Sequence, residues 1–590
     1  MEYKNEQMML SSSVPECLIS SMEYVEMKIP INQAGAESKL VKYFLENSAV
    51  LKKFMLRLGC SEMDEESVIF MDLLKFRRYS ASCEVVVESV EAYPTMIHSE
   101  SVGAAIFGFF GSEESSITCL ECFSQKRNQM SNRGDRISSL PDDLLCQILS
   151  NLPTKNAVST SILSTRWRNL WLSNPLFDID IDDFDDFDDF VSFASGFLDF
   201  HKDSCLHKFK IFGKRKDVSM CTIMWWLHNA VKRKIRHLDV ECYLEHAIDM
   251  VPLSRYLSET LVSLRLNCLV LVCFEFVSLP NLKVMHLEEI IYSDGDDDDD
   301  DTLENFISSC PVLEDLTVVR IVDETDVKVL RVRSQSLNSL KIVVDCTKEW
   351  CIGANGDWKV FIDAPRLAYL SLTDTYSVSF EISNLGSSAE VDIDVSFKVN
   401  KIWDLDDSFE RSNVGKLLTG LSSVRDMTIR ETTLKIMCHY LKHEPMPQFH
   451  NMTRLQVDFY ISDLEMLPGI LESCPNLKLL VVDLQKVRGR VENEEISLSA
   501  SSVPKCLQSS LEDVAIIRPN YGNGAEMKLS KYFLENSLVL KRFTLYMDCD
   551  NEEQENIIFE QFETVQRRSS ACEASLVVRD MMYPLSELML

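Results

Sequence analysis

Apolar residues through the middle of the chain recur in the order L-x-x-L-x-L, with polar residues between them. The first triplet is Leu206, Phe209 and Ile211, and later triplets begin 21 to 31 residues apart, except for one interval of 57. Each triplet fits one short strand, because alternate side chains of a strand share a face. The interval of 57 predicts two periods, with a degenerate unit near "VDIDVSF". The further triplets are Ile235/Leu238/Val240, Leu261/Leu264/Leu266, Leu282/Met285/Leu287, Leu313/Leu316/Val318, Leu337/Leu340/Ile342, Leu367/Leu370/Leu372, Val424/Met427/Ile429, Met452/Leu455/Val457 and Leu477/Leu480/Val482.

The segments between triplets predict short helices. In "TLENFISSCPVLEDLTV", Leu303, Phe306, Ile307 and Cys310 have helical spacing, and Pro311 ends the helix before the next strand. Periods in the twenties with one strand per unit are typical of leucine-rich repeats, whose units bury one another. We therefore predict an α/β repeat fold, a solenoid of strand-helix units. The Asn or Cys expected shortly after each triplet is mostly missing, so a regular asparagine ladder is not expected.

The two ends of the chain carry nearly the same sequence. "KYFLENSAVLKKF" begins at Lys42 and "KYFLENSLVLKRF" at Lys531, a separation of 489 residues, and Ser12 and Ser501 begin matching segments at the same separation. Each copy contains two more triplets, 29 residues apart. A solenoid needs a terminal cap, so the C-terminal copy is predicted to close the array. The N-terminal copy has fewer units than the three or so that a solenoid needs, and should be marginal alone.

A different pattern, of three short helices, occupies residues 134–174. The first helix is predicted to start at Pro141, whose missing N–H is tolerated there, and Asp142 and Asp143 suit the positive end of the helix dipole. Pro153 ends this helix. It is predicted to carry one apolar stripe, formed by Leu144, Ile148, Leu149 and Leu152.

The second and third helices complete this small unit. Thr154 is a predicted N-cap for the second helix, and the third, near Ser164, carries Trp167, Leu170 and Trp171. About forty residues with this many large apolar groups cannot bury them all internally. The exposed remainder either packs on the next domain or is covered by another protein.

The stretch "LPDDLLCQILSNLPTKNAVSTSILSTRWRNLW" resembles an F-box over some forty positions, from the Leu-Pro start to the "LSTRWRNLW" ending. The resemblance implies binding to the Skp-type adaptor of a cullin ubiquitin ligase. The sequence does not separate residues that face the adaptor from those that fill the motif's own core. By analogy the adaptor-binding residues are Leu140, Pro141, Leu144, Ile148, Leu149, Leu163 and Trp167.

The C-terminal copy resembles the FBD domain that follows leucine-rich repeats in many plant F-box proteins, through "SSVPKCL", "LSKYFLENSLVLKRF" and "SSACEASLVV". The N-terminal copy departs from that family, because it places a cap upstream of the F-box. The predicted domains are a partial FBD-like duplicate at 1–88, a linker at 89–133, the F-box at 134–174, an acidic helical connection at 175–205, leucine-rich repeats at 206–490 and the FBD domain at 500–580.

The charge balance disfavours nucleic acid as a partner. Lys and Arg number 60 against 92 Asp and Glu, a net charge of −32. A chain with this charge is not expected to bind phosphate backbones in a sequence-independent way. The densest acidic runs, "DIDIDDFDDFDD" and "DGDDDDDD", are predicted to be solvated inserts, because they lack the spaced Gly and terminal Glu of a calcium loop.

The cysteine content and the absence of targeting signals predict a soluble intracellular protein of the cytoplasm, the nucleus or both. The 19 cysteines are scattered, mostly in apolar stretches, as expected for thiols in a reducing compartment. "MEYKNEQMML" lacks the basic start and apolar core of a secretory signal. No stretch approaches the roughly twenty apolar residues of a membrane span, so no membrane association is expected.

No catalytic, cofactor or metal site is predicted. Cys119 and Cys122 form a lone C-x-x-C without a second pair or nearby histidines. No glycine-rich phosphate loop or nucleophile-base arrangement stands out. A metal-dependent hydrolase using the Asp runs is a distant alternative.

The resemblance implies a non-catalytic substrate receptor of an SCF-type ubiquitin ligase. The F-box would bind the adaptor, and through it a cullin, while the repeats and FBD domain would hold a target protein that the sequence does not identify. The alternative from another class is a repeat scaffold, or a decayed receptor, that does not join a ligase.

The upstream copy has a separate explanation. Met130 lies just before the F-box, where members of this family commonly begin. We hypothesise that residues 1–129 are a fusion or annotation remnant joined to the F-box protein.

Overall fold

The computed structural model divides the chain into two compact units, one of Met1–Tyr256 with Leu269–Val272 and one of Leu257–Cys268 with Cys273–Leu590. The residues that the structure describes are 22, 24–29, 43–45, 47, 48, 50–58, 84–89, 137, 140–200, 206–213, 226, 227, 229–242, 250, 251, 259–272, 278–293, 302–321, 329–345, 358–397, 408–485, 498, 503–517, 525–547 and 559–578.

Most of the described regular structure is short strands. They are β1 (Tyr24–Ile29), β2 (Lys53–Leu58), β3 (Glu84–Ser89), β4 (Leu176–Asp180), β5 (Lys208–Gly213), β6 (His237–Cys242), β7 (Met250–Val251), β8 (Ser263–Asn267), β9 (Val270–Val272), β10 (Val284–Glu288), β11 (Ile291–Ser293), β12 (Asp315–Ile321), β13 (Val329–Arg333), β14 (Ser339–Asp345), β15 (Lys359–Asp363), β16 (Tyr369–Asp374), β17 (Ser379–Ser383), β18 (Glu390–Val395), β19 (Asp426–Ile429), β20 (Arg454–Tyr460), β21 (Leu479–Gln485), β22 (Asp513–Ile517), β23 (Arg542–Met547) and β24 (Glu573–Val578).

Helices lie between many of these strands. They are α1 (Asp142–Leu149), α2 (Thr154–Ser159), α3 (Phe187–Phe200), α4 (Thr302–Ser308), α5 (Ser408–Gly420), α6 (Glu431–Leu441), α7 (Leu467–Glu472), α8 (Lys505–Ser509) and α9 (Ala525–Asn536), with 3-10 helices at Thr160–Ile162, Trp167–Ser173, Ile181–Asp183 and Ile461–Met466.

The second unit is built on a parallel sheet with the strand order β8, β10, β12, β14, β16, β18, β19, β20, β21, β22, β23, β24. The eight predicted triplets from Leu261 onward are its core, since none of their residues is more than 1% exposed, and the first two triplets are buried to the same extent in the first unit. Equivalent triplet residues pair across neighbouring strands, as Leu316 does with Leu340 and Leu340 with Leu370. Stacking of this kind lets each repeat bury the apolar face of the one before it, and it confirms the predicted solenoid of strand-helix units.

The predicted degenerate repeat is also present. β18 contains the "VDIDV" of the long interval, and its Val391 pairs with Leu370 on one side and Met427 on the other. The alternation of apolar and acidic residues therefore marks a strand that buries one face and exposes the other.

An asparagine contact between repeats does occur, at a position other than the one considered from the sequence. Asn281 and Asn476, each just before a triplet, donate side-chain N–H groups at 2.8 Å to the backbone oxygens of Glu259 and His450. Ser336 holds the equivalent position and donates at 2.8 Å to the Leu313 oxygen. These bonds satisfy carbonyls at the start of the preceding repeat.

In the middle of the array a second strand takes the place of the intervening helix. β13, β15 and β17 form their own parallel sheet, with Leu330 paired to Val360 and Val360 to Phe380. Buried and exposed residues alternate along these strands as they do in the main sheet. In β15, for example, Val360 and Ile362 are buried. The spacing of the triplets does not show whether the segment between two of them is a helix or a strand.

The connection at 175–205, predicted to be acidic and helical, begins with a strand. Its beginning is β4, which pairs in parallel with β5, and β5 pairs with β6. Phe177 and Ile179 are buried while Asp178 and Asp180 are partly exposed, so the run "FDID" has the period of a strand. Helix is found only later, in α3. Residues 175–200 therefore contain a strand, a 3-10 helix and an α-helix.

The C-terminal module closes the array as predicted. Its α9 contains "KLSKYFLEN" and its last strand, β24, is the terminal strand in the sheet order. Val514, Phe543 and Ala574 continue the register of the repeats.

The N-terminal copy repeats this register in a separate sheet, β1 to β3. Val25 pairs with Phe54, and Phe54 with Val85, each 489 residues before its C-terminal counterpart. The helix cap is repeated as well, because Asn47 donates at 2.8 Å to the Tyr43 oxygen as Asn536 does to that of Tyr532. Most of residues 1–133, including Cys119, Cys122 and Met130, lie outside the described residues.

Candidate functional site

The first candidate surface lies on α1, which has two apolar faces. Leu145 and Leu149 are buried, whereas Leu144 and Ile148 are 45% and 42% exposed. The single stripe predicted from the sequence is therefore wrong: it combined residues from opposite sides of the helix and omitted Leu145. Residues separated by four positions share a helix face, which fits both pairs.

The segment after α1 contributes further exposed apolar side chains. Ile162 and Leu163 are 68% and 64% exposed. α2 ends at Ser159 and is followed by a 3-10 helix, Thr160–Ile162. The third predicted helix is also a 3-10 helix, Trp167–Ser173.

Arg166 joins the two parts of this surface. Its Nε donates to Oδ1 of Asp142 at 2.8 Å, and its Nη2 donates to the backbone oxygen of Leu140. The bonds hold Arg166, three residues after Leu163, against the start of α1. We call the exposed apolar side chains of this region, Leu144, Ile148, Ile162 and Leu163, the F-box face.

The seven predicted adaptor-binding residues fall into two groups. Pro141, Leu144, Ile148 and Leu163 are exposed and Leu140 is partly exposed. Leu149 and Trp167 are buried within this chain. The structure thus separates the residues that are available to a partner from those that fill the motif's core.

Ile137 and Ile162 are exposed apolar residues that the sequence-based set left out. Ile162 looks like a core residue of the second helix when only its helical spacing is considered. Its neighbour Leu163 belongs to the predicted adaptor-binding residues, so the adjacent position in the sequence is the signal that could have identified Ile162.

Thr154 does not cap α2 as predicted. Pro153 holds the N-cap position, and no side chain caps the helix. The Thr154 hydroxyl oxygen instead accepts a 2.8 Å bond from the backbone N–H of Asp178 in β4. A buried threonine therefore links the helical motif to β4.

Aromatic side chains complete that link. The Trp171 ring lies 5.7 Å from the ring of Phe197 in α3, and Phe177 stacks on Phe209 at 4.9 Å. Ring pairs at such distances add to the energy of burial. The motif that carries the F-box face therefore packs on β4 and α3.

The second candidate surface is the outward face of the main sheet in the second unit. On β20, Leu455 and Val457 point into the core, while Arg454 and Gln456 alternate with them and are partly exposed. Asp458 continues the outward row, and Asp483 is its register partner on β21.

Arg430 organises the charges on this surface. Its Nε and Nη2 donate to the two carboxylate oxygens of Asp392 at 3.0 and 2.9 Å, and its Nη1 lies 3.7 Å from Oδ2 of Asp458. Burial raises the pKa of Asp458 to about 6; Arg430 lowers it, and Asp483, Asp392 and Asp394 raise it.

Within the described ranges, no group of three or more His, Cys, Asp and Glu side chains could hold a metal ion. Among the helices in those ranges, none combines the length and the apolar character needed to cross a bilayer.

Comparison with known families finds three families that match four segments of the chain. The F-box domain family matches residues 137–179, and the FBD family matches both 10–56 and 499–545. Residues 223–396 match the leucine-rich repeats described for the FBD-associated F-box protein At5g56370.

Relatives that align with about three quarters of the chain come from Arabidopsis thaliana. F-box/FBD/LRR-repeat protein At5g22660 is 67% identical over 455 residues, which cover 76% of this chain and 99% of the relative. F-box/FBD/LRR-repeat protein At5g22700 is 64% identical over 429 residues, covering 73% and 96%. F-box/LRR-repeat protein 13 is 41% identical over 452 residues, covering 75% and 97%.

The fold and the helical motif define a leucine-rich-repeat protein with an F-box and a terminal cap. The chain belongs to the F-box/FBD/LRR-repeat protein family. This confirms the resemblance seen in the sequence, and the FBD sequence occurs twice.

Proposed function

We propose that this protein is a substrate-recognition subunit of an SCF-type ubiquitin ligase. The observation that carries the proposal is the F-box face, four exposed apolar side chains on a motif of the F-box family. Exposed apolar groups that cluster on a small motif mark a protein-binding surface. The partner is a Skp-type adaptor, and through it a cullin.

The adaptor contacts Leu144, Ile148 and Leu163 directly, with Leu140 and Pro141 at the edge of the contact. Leu149 and Trp167 support this surface from the core of the motif, because both are buried in the chain. Ile162, with its exposed side chain, adds to the contact.

The repeats and the FBD domain hold the target protein. The chain contributes proximity: it raises the effective concentration of a target lysine near ubiquitin carried by a separate conjugating enzyme. The chain itself is non-catalytic in this scheme, and it acts inside the cell, in the cytoplasm, the nucleus or both.

Adaptor binding by the purified full chain tests this function. Leu144→Ala should weaken binding by about 2 kcal/mol, or roughly 30-fold, as for a central apolar anchor. Leu538→Ala is the matched control, since Leu538 is 44% exposed and lies in the C-terminal module. It should leave binding unchanged, and neither variant should lower the unfolding midpoint much.

Titration with the adaptor, followed by calorimetry, gives the affinities. No binding by the unsubstituted chain would contradict the proposal and favour the alternative of a repeat scaffold or a decayed receptor. Equal losses for Leu144→Ala and Leu538→Ala would show that the F-box face is not the contact.

A further inference from the structure

Four carboxylates and one guanidinium gather on the outward face of the main sheet. Asp392 and Asp394 lie on β18, Asp458 on β20 and Asp483 on β21, and Arg430 follows β19 between them. The backbone N–H of Arg430 donates at 2.9 Å to the Ile393 oxygen, which keeps the residue in the register of the sheet. We call these five residues the acidic cluster.

The one cation of the acidic cluster is committed mainly to one carboxylate. Arg430 makes two bonds to Asp392 and reaches Asp458 only at 3.7 Å, which is beyond a hydrogen bond. Asp394 accepts a 3.3 Å bond from the backbone N–H of Thr432 at the start of α6. The formal charge of the five side chains, when all are ionised, stays strongly negative.

Asp458 is the buried carboxylate of the acidic cluster. The residue is 7% exposed, and its Oδ1 has no hydrogen-bond partner among the described residues. A buried acceptor without a donor is costly, by about 1 to 3 kcal/mol and more when charged. The raised pKa of Asp458 expresses the same cost, because burial and the neighbouring aspartates oppose its ionisation.

A positively charged group placed over the cluster would offset its negative charge. Asp392, Asp394 and Asp483 are partly exposed and can meet such a group directly, while Asp458 acts on it from beneath. Charge buried close to a binding surface is less screened than charge on the surface. Lysine and arginine side chains carry N–H donors that carboxylate oxygens accept.

We infer that the acidic cluster binds a positively charged side chain, arginine or lysine, of the target protein. The inference rests on the proposed function for the existence of a target. It assigns the target a chemistry: a basic side chain projecting from the segment that lies on the strands β18 to β21.

The probe for this site is a fluorescein-labelled octapeptide with two arginines, compared with versions in which lysine or citrulline replaces arginine. Citrulline keeps the shape of arginine and removes its charge. Binding to the full chain is measured by anisotropy at physiological salt. The arginine or lysine peptide should bind, and the citrulline peptide should bind at least about tenfold more weakly, because the charge provides the attraction.

The double variant Asp458→Asn/Asp483→Asn should weaken binding of the basic peptide by about tenfold or more. The matched control is Asp185→Asn/Asp188→Asn, which removes the same charge from two exposed residues of the first unit. It should change the affinity less than about twofold, since exposed charges outside the binding site are screened by salt. Asparagine has nearly the volume of aspartate, and thermal unfolding of each variant verifies that it folds.

Two results would overturn the inference. Equal losses in both double variants would mean that only the net charge attracts the peptide, and an unchanged affinity in Asp458→Asn/Asp483→Asn would exclude the cluster. Adaptor binding is measured on the same preparations. A chain that binds the basic peptide at the cluster but not the adaptor would contradict the proposed function and leave the site standing.

Discussion

The hydroxyl oxygen of Thr154 accepts a 2.8 Å hydrogen bond from the backbone N–H of Asp178, which joins the F-box motif to β4. Thr154 is buried, so its replacement leaves that N–H without a partner. We expect Thr154→Val to lower the free energy of unfolding by about 1 to 3 kcal/mol. Denaturant unfolding measures the change.

The exposed Thr165 provides the control for this prediction. Thr165→Val should alter the unfolding free energy by less than about 0.5 kcal/mol, as is usual at exposed positions. Equal effects of the two substitutions would mean that the Thr154 bond does not stabilise the junction.

The two FBD copies offer a second comparison. Phe543 is buried in β23, with its ring 5.9 Å from that of Phe562, so Phe543→Ala should cost about 3 to 5 kcal/mol. Phe54 holds the same register position in the separate sheet of β1, β2 and β3. Phe54→Ala should leave the main unfolding transition nearly unchanged, because its sheet shares no strand with that of Phe543. A similar loss in both variants would show that the two copies unfold together.

Stability should depend on pH through Asp458. Its pKa is raised from the ordinary value of 3.8 to about 6, so the folded state binds a proton in a range where the unfolded state has lost it. The free energy of unfolding therefore falls as pH rises from about 4 to about 6, by up to about 3 kcal/mol, and changes little above that range.

Asp458→Asn should remove most of this slope, since asparagine does not titrate. The measurement is denaturant unfolding at several pH values between 4 and 7.5, with Asp185→Asn as the control. An unaltered slope in Asp458→Asn would assign the pH dependence to other groups.

The buried thiols should resist alkylation in the folded protein. Burial raises the pKa of Cys310 to about 11 and that of Cys506 to about 12. Only the thiolate reacts, so iodoacetamide at pH 8 should label the partly exposed Cys268 before either of them. Mass spectrometry of the labelled peptides checks the order. Rapid labelling of Cys310 would mean that its repeat opens readily.

Deleting residues 1–129 should affect neither the main transition nor adaptor binding. Almost the whole length of each matched relative aligns with about three quarters of this chain. About a quarter of the chain therefore lies outside these alignments. We propose that this quarter includes the N-terminal copy. Loss of adaptor binding on deletion would refute the proposed division of labour.

Mass spectrometry of the native protein tests whether residues 1–129 are a fusion remnant. Peptides from "LVKYFLENSAVLK" in the same chain as the F-box would refute that hypothesis. Their absence, with a start near Met130, would support it.

The sequence by itself was enough to predict the repeat period, the triplets that form the core, the degenerate unit in β18, the F-box and the duplicated cap. These features are local or periodic, so residues close in sequence carry the whole signal. The triplet in β14, for example, is recognisable without its partners Leu316 and Leu370.

Only the tertiary structure decided which apolar residues of α1 are exposed, because Leu144 and Leu145 differ in what packs against them and not in chemistry. The role of Thr154 likewise depends on β4, 24 residues away. The acidic cluster brings together residues from Asp392 to Asp483, and no local pattern marks them. Stacking of repeats places such distant positions side by side, and that placement sets their burial and charge.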